Sequence, residues 1–336
     1  MRTLSIVTAL LVPLAASAQD RSAILADVVA THIQPRFTEL AAATDVLAAT
    51  ASSDCAPRSE NLRTAYAAAF DAWISASHLR FGPTETDDRA FAIAFWPDTK
   101  GFTPKALSQH IAAQDPAVNN PAAYAETSVA GRGFFALEQM LFDPDFAEMG
   151  SAEYRCSLIR VIAADIDANA DGMATDWQIF APNLTQPGAG SPYRSQDEAM
   201  QELFKALSTG LQFTAETRLG RPLGTFDRPR PNRAEARRSE RSMRHVELSL
   251  IALRDLAARL SADHLDIAAD LDVAFERAIN SAQSIDDPAL ASVAEPQGRF
   301  RVEALQQAIN DIRTIAATKL GPTLGISAGF NSLDGD

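Results

Sequence analysis

The sequence predicts an all-α fold of two helical-bundle halves joined by a Pro/Gly-rich linker, and three observations carry that expectation. Alanine-rich stretches place apolar residues three and four apart through most of the 336 residues, the spacing of helices that bury one face. Alternating β-branched runs, the mark of half-buried strands, are nearly absent. Between 181 and 195 hydrophobicity drops while Pro182, Pro187, Pro192, Gly188 and Gly190 accumulate, which reads as a linker. The expected division is a leader over 1–18, a bundle over 19–185 and a second bundle over 186–336.

In chain order, Ile24, Val28, Phe37 and Leu40 mark a first helix, with Pro35 as a kink or early break. Leu62, Tyr66, Ala69, Phe70 and Trp73 mark a second, closed by Gly82-Pro83. The stretch 80–101 is the exception: Phe91, Ile93 and Phe95 alternate with alanines before Trp96-Pro97-Asp98, so an extended or irregular loop is expected. Asn120-Pro121 reads as an N-cap with Pro at the first helical position, opening a segment that reaches Phe142. A helix over about 151–177 buries Tyr154, Leu158, Val161, Ile162 and Ile166. Ser195 with Glu198 is a capping-box signature. After a loop carrying Pro222, Pro229 and Pro231, a long helix is expected from Arg233 to Leu260, with two more near 262–284 and 297–319.

The first residues have the form of a signal peptide. Arg2 supplies positive charge, 4–14 an apolar stretch, and Ala16-Ser17-Ala18 a cleavage site, so a periplasmic protein is expected. No other run is long and apolar enough to cross a membrane. In an oxidising compartment an even thiol count favours a Cys55–Cys156 disulfide over two buried free thiols. The net charge of −13 excludes nucleic acid as a partner.

Glu138 is the one carboxylate in the apolar run 133–142, GFFALEQMLF. Burying it unpaired costs several kcal/mol, so it is either a structural group held by an Arg or a ligand or catalytic group. The second concentration of chemistry is basic: Arg228, Arg230, Arg233, Arg237, Arg238, Arg241 and Arg244 fall within seventeen residues. On a helix, Arg233, Arg237, Arg241 and Arg244 would form one stripe. Such a stripe serves either a salt-bridge seam or a small anionic ligand. His32, His78, His110, His245 and His264 are scattered, and no zinc-protease HExxH, nucleophile elbow or Walker loop occurs. The arginine-rich segment is expected to face Glu138 and pair with it, because a charged guanidinium cannot bind a metal cation.

Trp73 with RFGP at 80–83, FWPD at 95–98, GFFALEQMLF, YRC at 154–156, Trp177, RPRPNRAEARRS at 228–239 and GFNSLDGD at 329–336 run through nearly the whole chain. Together they resemble the imelysin-like family, in its branch of exported proteins of iron-acquisition gene clusters. The resemblance implies two helical bundles, a periplasmic location and a cleft near the family's GxHxxE motif. That motif maps onto Gly133 to Glu138 with Phe135 at the His position, so glycine and glutamate carry over and the metal ligand does not. The expected cleft residues are Arg80, Gly82, Pro83, Trp96, Asp98, Gly133, Phe135, Glu138, Arg233, Arg237, Arg238 and Ser239.

The reading that follows is a non-enzymatic binding or accessory component of iron or haem uptake, taking a metal, haem or small anionic ligand or engaging envelope proteins. The alternative is a divergent metallopeptidase of the same family with Glu138 as general base.

Overall fold

The structure is a computed structural model that describes residues 21–326. The expected leader and the GFNSLDGD terminus lie outside the described residues. Within them the chain is all-α; the nearest approach to a sheet is an isolated bridge between Thr225 and Arg228. One apolar core runs without interruption from Ile24 to Ile326.

Helix α1 spans 22–53 and joins the two ends of the molecule. Its first residues pack against Pro182–Thr185, α6 (Gln196–Gln212) and α7 (Ser242–Leu260), and its remainder lies against α2 (Glu60–Ala76) and α5 (Ala152–Phe180). Phe37 of α1 stacks on Trp177 of α5 with ring centroids 5.3 Å apart, and the indole N–H donates to Thr84 Oγ1 at 3.1 Å. Helices α7, α8 (Leu265–Gln283) and α9 (Pro296–Ile315) pack in succession, and α7 also reaches back onto α2. Helix α3 (Phe102–Ala113) and helix α4 (Gly133–Phe142) complete the wall around the cavity described below.

Of the kink or early break expected at Pro35, the break does not occur. The six residues before Gln34 are wound as a π-helix, Val28–Ile33, and the Gln34 N–H donates to the Val29 carbonyl five residues back. A proline has no N–H to give, and its ring crowds the carbonyl four residues earlier. The wider turn re-routes the bonding, so the helix continues. The same device recurs at Phe213–Leu219 before Pro222 and at Ala316–Leu320 before Pro322, so Pro222 sits in a helical extension of α6 rather than in the expected loop.

Several boundaries differ from expectation. Helix α2 ends at Ala76, six residues before Gly82. Asn120 does cap a helix, its Oδ1 accepting from Ala123 N at 3.2 Å, but that helix is only Pro121–Ala125, and α4 starts afresh at Gly133. Phe91 and Ile93 lie in a short helix, Arg89–Ile93, and only the residues after it are extended. The largest change is at 233–241: Arg233 closes a single 3-10 turn, Pro231–Arg233, and 234–241 are not helical. Ala236 and Glu240 take positive φ of 46° and 56°, and α7 begins at Ser242. Arg233 and Arg237 therefore belong to a loop, and the four-membered arginine stripe does not form. At Ser195 the hydroxyl accepts from Glu198 N as expected, while Glu198 returns to the Arg194 N–H, one residue before the cap.

Cys55, just beyond α1, and Cys156, in the second turn of α5, form a disulfide with Cα atoms 5.1 Å apart and a sequence separation of 101. In the chain-entropy account a loop of this length stabilises the fold by up to about 4–5 kcal/mol. The Cys55→Ala/Cys156→Ala double variant should therefore unfold at lower urea concentration with an unchanged native helical signal. An unchanged midpoint would show that the bridge adds no stability.

Candidate functional site

The site is built on Gly133. Its φ is +72°, and a Cβ there would collide with the Ala92 and Ile93 carbonyls. Glycine is the residue whose missing Cβ permits both the backbone angle and the approach. The start of α4 consequently lies directly against the end of Arg89–Ile93, which aims the extended residues 94–98 across the face of α4. Trp96 stacks beside Phe135 with centroids 6.2 Å apart and meets the Phe213 edge at 5.9 Å. Asp98 then caps α3, accepting from Phe102 N at 2.9 Å, Thr103 N at 2.8 Å and Lys100 N at 3.3 Å. Burial alone would raise this carboxyl, but the three N–H groups outweigh it and hold it below the usual carboxylate range.

These elements enclose one side of a cavity of about 200 Å³ whose other side is Arg221 and the loop 232–238. Of the residues expected in a cleft, Trp96, Asp98, Phe135, Glu138, Arg233, Arg237 and Arg238 line it. Gly133 and Ser239 stand behind the wall and support it. Arg80, Gly82 and Pro83 are elsewhere: Arg80 pairs with Glu85 and covers the Phe91 ring at 5.2 Å, while Gly82 lies on the Phe180 ring beside a separate open depression. Their placement follows from the end of α2 at Ala76, which turns the chain toward α5 before it reaches α4.

Glu138 is 3% exposed. The expected ion pair is absent; Oε1 accepts instead from the Ser239 N–H at 2.9 Å and the Ser239 hydroxyl at 2.8 Å. Arg238 gives its Nε to Asp143 at 2.8 Å, and Arg237 makes no side-chain hydrogen bond with a described residue. Burial raises the Glu138 carboxyl above its ordinary value, and the Ser239 bonds with the Arg238 and Arg237 charges offset this in part.

Ser239 is positioned by the burial of its own loop. Glu235, 4% exposed, accepts from Arg218 Nε at 2.7 Å and from His245 Nδ1 at 3.1 Å, and its backbone carbonyl accepts from the Ser242 hydroxyl at 2.6 Å. Burial opposes the Glu235 charge, but Arg218 and His245 win and bring the carboxyl down to about 2. Further along the same interior, His32 Nδ1 lies 2.7 Å from Asp255 and its Nε2 lies 2.8 Å from His78 Nε2. Burial holds His32 down at about 4 and His78 well below its usual range. With both rings neutral, His32 donates to Asp255 and accepts from His78. Neither these histidines nor His110, His245 or His264 lines the cavity.

The remaining basic residues divide cleanly. Arg241 and Arg244 pair with Asp71, and Arg244 also with Glu247 at 2.8 Å, which is the internal seam expected of this segment. Arg221, Arg233 and Arg237 face the cavity with no ion pair to any described residue. Arg221 was not among the expected cleft residues. Its guanidinium lies 5.8 Å over the Trp96 ring, and its Nε is buried without a partner.

Two substitutions separate the roles. Ser239→Ala leaves the buried Glu138 oxygen with one donor instead of two and should lower stability by about 1–3 kcal/mol, read from urea unfolding at pH 7; Glu138→Gln keeps the acceptor and should lose less. An equal loss in both would assign the stability to the Glu138 charge.

Glu235 contributes to the acid limb of stability, beside Asp255 and Asp98, whose carboxyls are also held below their ordinary values. Because the folded value of Glu235 lies below the ordinary 4.5, its contribution is complete above pH 4.5 and is lost as pH falls toward 2. Glu235→Gln should make that acid limb shallower and, by stranding Arg218, cost roughly 3–5 kcal/mol at pH 7. An unaltered acid limb would overturn the assignment.

A family model described as imelysin matches residues 33–316. Iron-regulated protein A of Synechococcus elongatus is 25% identical over 302 residues, covering 82% of this chain and 79% of its own. Two crystal structures share the fold. An imelysin-like protein of Psychrobacter arcticum has a TM-score of 0.77 at 20% identity, over 92% of this chain and 97% of that one. A protein assigned as an iron-regulated protein A precursor, from Parabacteroides distasonis, has a TM-score of 0.74 at 14% identity, over 90% and 94%. With the match spanning the helices that build the cavity on both of its sides, the chain belongs to the imelysin family.

Proposed function

We propose that this chain is a non-enzymatic, exported binding component of iron uptake, with its ligand held in the cavity between α4, the 94–101 segment and the 232–238 loop. The iron assignment is supported by the name of the Synechococcus relative, and export by the form of residues 1–18. The observation that carries the binding reading is the state of the carboxylates. A hydrolytic metal centre needs about three protein ligands around an open position. In the cavity Asp98 is engaged with three backbone N–H groups, which leaves one Glu138 carboxylate oxygen without a hydrogen bond to a described residue. Among the described residues no group of three His, Cys, Asp or Glu side chains is placed to hold an ion.

Haem fits no better. The cavity is smaller than the roughly 300–1,000 Å³ of pockets for drug-sized ligands, and its lining offers no His, Cys, Met or Tyr as an axial ligand.

Protein purified from the periplasm of its own cells should cleave no peptide when supplied with zinc or ferrous iron, and its abundance should rise under iron limitation. Metal-dependent cleavage that is lost in Glu138→Gln would overturn the proposal in favour of a peptidase.

A further inference from the structure

We infer that the cavity takes a small polycarboxylate anion, free or as its ferric chelate, gripped by Arg221, Arg233 and Arg237, and that it does not hold a bare metal cation. This rests on the binding reading above and names the ligand class of the same site.

The argument is a balance of hydrogen bonds and charges. Of the acidic groups on the wall, Asp98 spends both oxygens on the start of α3, and Glu138 spends Oε1 on Ser239. Of the basic groups, Arg238 alone is neutralised, by Asp143. The guanidiniums of Arg221, Arg233 and Arg237 make no ion pair with a described residue. Burial works against the charged form of Arg221 and Arg237; the Arg233 charge adds to this at Arg221, and the Arg238 charge adds to it at Arg237, where the Glu138 and Asp143 carboxylates act the other way. Like charges set side by side around a concavity are unfavourable until an anion arrives between them. The buried, unpartnered Nε of Arg221 is a donor already stripped of water and still without an acceptor.

The geometry of the donors selects the class of anion. A guanidinium presents a planar fork that matches a carboxylate with two parallel bonds. Three forks from separate segments, α6 and two points of the 232–238 loop, suit a ligand with several carboxylates. The volume of about 200 Å³ restricts it to a small molecule. Trp96 lies under Arg221 and closes the floor with an apolar face. In a chain of net charge −13, four arginines against the two carboxylates of Asp98 and Glu138 around one cavity run against the average composition.

The test is calorimetric titration of the intact mature protein with four probes: citrate, ferric citrate, inorganic phosphate, and ferrous ion alone under anaerobic conditions. Citrate or ferric citrate should bind, and the difference between them tells whether the metal adds contacts. Arg233→Gln should weaken that binding roughly tenfold or more. Its side chain is exposed and unpaired, so the fold should be unaffected, as checked by the urea midpoint; Arg221→Gln, at the floor, should weaken binding as well. Binding of ferrous ion alone that is lost in Glu138→Gln and kept in Arg233→Gln would overturn the inference while leaving a binding protein. Binding of phosphate without either citrate form, or no binding by any probe, would overturn it too. Peptide hydrolysis, by contrast, bears only on the proposed function.

Discussion

The buried pair of Arg218 and Glu235 is the constraint on which the cavity depends. Residues 233–241 were expected to start a helix, yet after the 3-10 turn Pro231–Arg233 the chain runs as a loop with two non-glycine residues at positive φ. A conformation of that kind persists only where the surroundings over-determine it. Here the surroundings are a carboxylate 4% exposed, a guanidinium 2.7 Å away, a histidine at 3.1 Å and a serine hydroxyl on the backbone carbonyl. Removing either charge would leave the other buried and unpaired, at a cost far above that of the strained backbone. The pair thus pins the loop, the loop presents Ser239 to Glu138, and Arg233 and Arg237 are left facing the cavity.

Winding and site are coupled through proline. Arg218 and His32 both lie in π-helical turns that exist because Pro222 and Pro35 follow. A π turn rotates the residues after it relative to those before it, so a helix can bury one face against one neighbour and a different face against the next. In α1 this lets Ile24 and Leu25 pack on α6 and α7 while Phe37, Leu40 and Leu47 pack on α2 and α5. In α6 it turns Arg218 inward, to Glu235, and Arg221 toward Trp96. Proline, the residue expected to break these helices, instead redirects them.

The helical class and the main helices were legible because each long helix buries one stripe, and a stripe at three-and-four spacing is local information. Glu138 was legible for the same reason, as a charge in an otherwise apolar run. The bond it makes was not, because the choice between an arginine and the Ser239 N–H and hydroxyl depends on a loop 101 residues away. The arginine spacing over 233–244 imitated a helix, since helix propensity counts neighbours and cannot count the buried Arg218–Glu235 pair. Arg221 escaped notice altogether: it stands alone in sequence, and only the π turn before it carries it to the cavity. Arg80, Gly82 and Pro83 are the converse case, a compact motif whose glycine serves packing against Phe180 and whose arginine serves Glu85.

Gly133 and Glu138 act on the two sides of one gap. Gly133 sets α4 against Arg89–Ile93 and so places the wall that bears Trp96 and Asp98. Glu138, one and a half turns later, reaches across to Ser239 and so places the wall that bears the arginines. A carboxylate suits this reach because it accepts two hydrogen bonds through one oxygen and keeps the other oxygen for the cavity, whereas an arginine partner would have bound both and closed it. The bond to an uncharged serine has a further consequence. It leaves the forks of Arg237 and Arg238 unused by Glu138, whose charge still acts on both across the gap. Glu138 therefore joins the two sides of the cavity without engaging the fork of an arginine.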